Sequence, residues 1–82
     1  MSEGTKNSEP LSGLVPGARA RIVAVEVADV NRGRILEMGF TVGATIEVVR
    51  FAPLGDPMEL RVRGAHVSIR KAEAAGVRVQ RI

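Results

Sequence analysis

The residues able to do chemistry in this chain are few, and none falls into a catalytic pattern. The 82 residues include no cysteine, which excludes disulfides, thiolate metal sites and thiol nucleophiles together. The single histidine, His66, opens a strand-like stretch beside a turn, whereas a metal centre needs three or four convergent ligands. Glu26, Asp29 and Glu37 flank one helix candidate without the spacing of an oxygen cage for a hard cation. Met38 and Met58 are soft donors standing where packing is the simpler role. Ser12 and Ser68 have no neighbouring group to activate a hydroxyl. The segment GFTVGATIE carries glycines but lacks the Lys-Ser/Thr ending of a phosphate loop. No catalytic residue, metal ligand or cofactor is assigned, and the chain reads as a non-enzyme.

Two binding chemistries remain. Arg61, Arg63, Arg70 and Arg78 alternate outward on strand-like stretches and would form a basic face if those strands were neighbours. Charge is uneven in the same sense. Seven basic and three acidic residues from Arg50 onward give +4, and five basic and six acidic before it give −1. Single-strand nucleic-acid readers stack bases on exposed aromatics, and Phe40 and Phe51 are the only two here. Outward arginines on strands also deter edge aggregation, so no nucleic-acid partner is expected. Protein binding is the stronger reading. Met38 and Phe40 leave the helix candidate, and Ala52 to Pro57 forms a loop stiffened by two prolines. Met38, Phe40 and Leu54 would then make an apolar patch rimmed by Arg34 and Arg50. Rigid apolar tips lose little entropy on docking. The partner-binding candidates are Arg34, Met38, Phe40, Arg50, Pro53, Leu54 and Asp56. Phe40 serves equally well as a plug at one end of the core.

The elements that must position these residues follow from periodicity. Arg19 to Val27 is strand-like with apolar residues on both sides, so the strand is either covered twice or changes face at a bulge. Ala28 to Met38 is the helix candidate, with Asn31 as N-cap and a Val30–Ile35 staple. Arg32 and Arg34 point outward from it, and Gly39 stands where a left-handed C-terminal residue is wanted. Thr41-Val42-Gly43 fits a type II turn. Ala44 to Phe51 reads as a strand with Ile46 and Val48 inward and Phe51 on the other side. Met58, Leu60 and Val62 alternate inward before a turn at Gly64-Ala65, and Val67 and Ile69 alternate after it. Lys71 to Ala75 is one helical turn, and Val77 and Val79 face inward on a closing strand. Five half-buried strands of this length describe a small closed or nearly closed barrel.

Composition agrees. Val, Ile, Leu and Ala dominate an apolar fraction of 45%, favouring strands. Met1 to Glu9 has no apolar run and is expected to be a disordered tail, leaving residues 10–82 as one domain. No apolar run reaches the roughly 18 residues of a membrane helix, and no signal peptide is visible. A cytoplasmic location is expected.

Leu36-x-Met38-Gly39-Phe40, Gly43-x-x-Ile46-x-Val48 and Ala52-Pro53-Leu54-Gly55-Asp56-Pro57 occur in order, followed by Val62-x-Gly64, Ser68-Ile69-Arg70 and Glu73-Ala74. This succession resembles the FeoA family, the small cytosolic component of bacterial ferrous iron uptake, over about Pro10 to Ile82. The resemblance implies a mostly β, SH3-like barrel of about five strands, with a short helix after the first strand and a helical turn before the last. It also implies a non-catalytic accessory or regulatory role and a partner, the cytosolic G-domain region of the membrane transporter FeoB. A related domain forms the C-terminal part of DtxR-type metal-dependent repressors, which makes a metal-linked regulatory module one alternative; a nucleic-acid-binding small barrel using the arginine face is the other.

Overall fold

Alternating apolar residues build one antiparallel sheet in the computed structural model, which describes residues 8–82. Its strands are β1 (Glu9–Pro10), β2 (Arg19–Val25), β3 (Thr45–Phe51), β4 (Met58–Val62), β5 (Ala65–Ile69) and β6 (Val77–Arg81). They lie in the order β1-β6-β2-β3-β4-β5. Helix α1 (Asp29–Glu37) follows β2, and the single turn α2 (Lys71–Ala74) precedes β6. All five expected strands form. The sixth, β1, corrects the domain boundary: Glu9, assigned to the tail, pairs opposite Val79, and Pro10 pairs opposite Arg78. The rest of the expected tail, residues 1–7, lies outside the described residues.

The inward alternation holds where it was cleanest. Met58, Leu60 and Val62 on β4 are fully buried, as are Val77 and Val79 on β6 and Ile46 on β3. Each such side chain contributes about 1.5–3 kcal/mol by leaving water. Where apolar residues occupied both faces, bulges decide. A register shift between Ile22 and Ala24 makes Val23 an extra residue, so Ala20 and Ile22 face the core and Val25 takes over after the bulge. A second shift between Val48 and Arg50 does the same on β3. It returns Phe51 to the core side, opposite Met58, rather than to the far side. Bulges also add twist, which helps one short sheet wrap a single core. The sheet ends at β1 and β5 without hydrogen bonds closing it.

Helix α1 starts earlier than its side chains suggest. Its N-cap is Ala28, with no side-chain cap, because the Asn31 N–H already bonds the Ala28 carbonyl. Val30 is 86% exposed while Ile35 is fully buried, so the expected Asn31 cap and Val30–Ile35 staple are both absent. The C-terminal end matches expectation. Gly39 has φ 103°, its N–H bonds the Leu36 carbonyl and the Phe40 N–H bonds the Ile35 carbonyl. That pair of bonds is a Schellman ending, and the accompanying apolar contact positions are Ile35 and Phe40, both buried. At the other end of the sheet Gly76 is needed for a different reason. A Cβ there would lie 2.8 Å from the Glu26 carbonyl oxygen, where the Glu26 N–H bonds the Gly76 carbonyl.

Candidate interaction surface

The Schellman ending sends Phe40 inward. It is fully buried, in the core cluster with Ile35, Ile46 and Val62, so it plugs the core and is not a docking residue. Met38, one turn beyond Arg34, is half-buried and packs against that cluster, with the Arg34 Nη1 donating to its Sδ at 3.4 Å. The loop between β3 and β4 behaves as its composition demands. Pro53 and Leu54 are the central residues of a turn closed by the Gly55 N–H to the Ala52 carbonyl, and the Ala52 N–H bonds the Pro57 carbonyl. Gly55 has φ 91° and the Asp56–Pro57 peptide is cis. Leu54 is 97% exposed at the tip.

Asp56 has a job inside the fold. Its Oδ1 accepts the Lys71 backbone N–H at 3.0 Å, capping the first N–H of α2 from a distant loop. The Lys71 Nζ in turn lies 4.3 Å from the centre of the Phe51 ring at the base of that loop. Three parts of the chain therefore meet on α2. Arg34 of α1 points outward as expected, and its exposed guanidinium donates to the Glu73 carboxylate of α2. Arg34, Pro57, Ser68, Arg70 and Glu73 line an open hollow of about 320 Å³. Arg50, by contrast, sits on the outer face of β3 in an ion pair with Glu59 at 3.1 Å, in a row that His66 joins through Glu59 at 3.5 Å. The fold gathers Arg34, Met38, Asp56 and the loop around α2, and leaves Phe40 and Arg50 out. Glu73, Ser68 and Arg70 join this surface through the fold rather than through any pattern in the sequence. Arg34 and Glu73 stand 39 positions apart, and no local spacing signals their meeting.

The four arginines proposed for a basic face do not converge. Arg61 pairs with Glu47 at 3.2 Å. Arg63 leaves the strand altogether. With φ 51° beside Gly64 at 82° it forms the two-residue turn between paired Val62 and Ala65, one position earlier than expected, and its guanidinium donates to Thr41. Arg70 lines the hollow beside α2, and Arg78, on β6 next to β1, donates to Ser8. Arg81 pairs with Glu9 at 2.8 Å. The hydrogen bond from Arg81 holds the Glu9 carboxyl below its ordinary range and holds the Arg81 guanidinium up. Among the described residues no polar or charged residue is buried, and no three His, Cys, Asp or Glu side chains gather as a metal cluster. What the described surface offers to a partner is the exposed Leu54 tip and, beside α2, the hollow lined by Arg34, Arg70 and Glu73.

Known proteins agree with this architecture. A sequence profile of the FeoA domain matches residues 9–81. The chain is 50% identical over 72 residues, 88% of its length, to an Fe(2+) transport protein A/Fe(2+) transporter FeoB fusion protein of Porphyromonas gingivalis. It spans only 8% of that relative's length. The solution structure of a FeoA protein from Chlorobium tepidum superposes with a TM-score of 0.83 at 38% identity, covering 89% of this chain and 70% of that one. Stenotrophomonas maltophilia FeoA, crystallised with zinc and described as a prokaryotic SH3 domain protein, gives 0.75 at 28% identity, covering 87% and 88%. A manganese-dependent transcriptional repressor shares the fold alone, with a TM-score of 0.81 at 14% identity over 92% of this chain and 41% of that one. The small open barrel is thus SH3-like, and the chain belongs to the FeoA domain family.

Proposed function

We propose that this chain is a non-catalytic accessory module of ferrous iron uptake that docks on the cytosolic part of FeoB through the surface around α2 and Leu54. The observation that carries the reading is the relative in which an FeoA sequence and FeoB form one polypeptide. Joining two modules raises their effective concentration to about the millimolar range for short flexible linkers. Docking of one module on the other still needs a contact residue, and Leu54, 97% exposed on a stiff loop, is suited to that task. Burying a leucine-sized tip contributes about 1.5–3 kcal/mol. The ordering cost is small because Pro53, Pro57 and the Asp56–Lys71 hydrogen bond already hold the loop. Ferrous iron is then the transporter's cargo, and this chain works in the cytoplasm by contact alone.

Calorimetric titration of the intact chain against FeoB's cytosolic region, with and without guanine nucleotide, tests the reading. Saturable binding is expected, weakened at least about tenfold by Leu54→Asp, since a charge at a buried interface tip is left unpaired. Absence of binding in every nucleotide state overturns it.

A further inference from the structure

The two outer strands of the sheet are finished differently. β1 is two residues long and contains Pro10, and both shortness and proline blunt an edge. β5, Ala65–Ile69, is longer and holds no proline, no bulge and no Lys, Arg, Asp or Glu. Its register fixes which backbone groups are free. The two-residue turn makes Val62 and Ala65 a hydrogen-bonded pair, and the antiparallel alternation repeats this at Leu60–Val67 and Met58–Ile69. The N–H and C=O groups of His66 and Ser68 therefore point away from β4. None of these four groups has another backbone partner in the described chain, and both residues are exposed.

The hollow lies at this same edge. Ser68 and Arg70 line it, together with Arg34 and Glu73. Arg34 is paired with Glu73, whereas Arg70 takes part in no ion pair among the described residues, so the hollow presents one uncompensated guanidinium. A second copy of this strand would bring no carboxylate to Arg70, since Ala65–Ile69 holds neither Asp nor Glu.

From these features we infer that β5 is a strand-addition site for an extended, acidic segment of a partner protein. The added strand hydrogen-bonds to the His66 and Ser68 backbone, and one of its carboxylates enters the hollow toward Arg70. Main-chain bonds supply the affinity in this mode and the side-chain hollow supplies the selectivity. The inference rests on the reading that the chain acts by docking, and adds where the partner lies and in what conformation.

The test uses the intact chain and a synthetic peptide of alternating threonine and valine carrying two aspartates, followed by amide spectra and hydrogen exchange. Saturation slows exchange at His66 and Ser68 by at least about tenfold, as expected for newly bonded edge amides. Replacing the peptide's aspartates by lysines weakens binding at least about tenfold, and Arg70→Glu does the same to the acidic peptide. Ser68→Pro removes an outward donor without touching the β4 ladder, so it abolishes the peptide's effect while the rest of the spectrum is kept. Three results overturn the site: no slowing at millimolar peptide, undiminished binding to Ser68→Pro or Arg70→Glu, or a peptide-free dimer that Ser68→Pro dissolves. The readings fail separately. If FeoB's cytosolic region requires Leu54 but binds Ser68→Pro normally, the edge inference falls and the docking reading stands. If the peptide requires Ser68 while FeoB's cytosolic region never binds, the reverse holds.

Discussion

Two glycine corners, Met38-Gly39-Phe40 and Pro53-Leu54-Gly55, present the same kind of residue to opposite fates. Each sets a large apolar side chain beside a glycine with positive φ. After α1 the chain turns back on its own helix, and Phe40 ends fully buried. Between β3 and β4 it turns outward, and Leu54 ends almost fully in solvent. Hydrophobicity alone does not distinguish core from anchor; the backbone bonds around the glycine do. In the first corner the Phe40 N–H is committed to the Ile35 carbonyl, which points its side chain at the helix's buried face. In the second, the turn closes on its own residues, and no apolar surface lies in front of Leu54.

The largest effect that tests this contrast is Phe40→Ala. Truncating a buried phenylalanine costs about 3–5 kcal/mol, read as a large fall in the urea midpoint. Leu54→Ala moves stability by no more than about 0.5 kcal/mol. Equal losses at the two positions would break the comparison. The glycines separate next. Gly39→Ala suffers both the positive φ and a Cβ 3.2 Å from the Val62 Cγ1, for about 1–3 kcal/mol. Gly55→Ala has the same backbone problem with nothing nearer than the Lys71 Nζ at 3.9 Å, so it carries only the strain, about 1–2 kcal/mol. Thermal melts of the two variants should differ in that order.

Asp56→Ala sharpens the outward corner. Losing a capping carboxylate costs about 1 kcal/mol, and freeing the loop from α2 should also weaken any ligand that needs Leu54 held in place. Asp56→Asn, which keeps an acceptor, should recover most of both. The smallest effect concerns pH at the β1 edge. Glu9 has a lower pKa folded than unfolded, owing first to its hydrogen bond from Arg81. Its contribution is therefore complete above the ordinary value of 4.5 and is lost as pH falls through the folded value. Because the pair is solvent-exposed, salt screens it. Protection of the β1 and β6 amides, taken relative to their intrinsic exchange rates at each pH, should fall slightly in acid, and Arg81→Gln should abolish that dependence.

Much of this could be read along the chain, because it depended on neighbours only. The β4 alternation of Met58, Leu60 and Val62, the Gly39 helix ending and the stiffness of Ala52 to Pro57 each follow from local backbone chemistry. What the chain does not show locally is decided elsewhere, save at the start of α1, where Ala28 rather than Asn31 takes the capping position. Arg34 looks solvated until Glu73 is brought to it. Arg61, Arg63, Arg70 and Arg78 look like one face until register and a two-residue turn disperse them.

By itself, then, the sequence determined the strand periods and the glycine turns, since residue type and spacing of two or four positions suffice for these. Tertiary structure alone decided the bulges at Val23 and Val49, the pairing of Arg34 with Glu73 and the bond from the Lys71 N–H to Asp56. Those choices are made by pairing between strands and by contacts between distant parts of the chain, where only the folded chain brings the partners within reach.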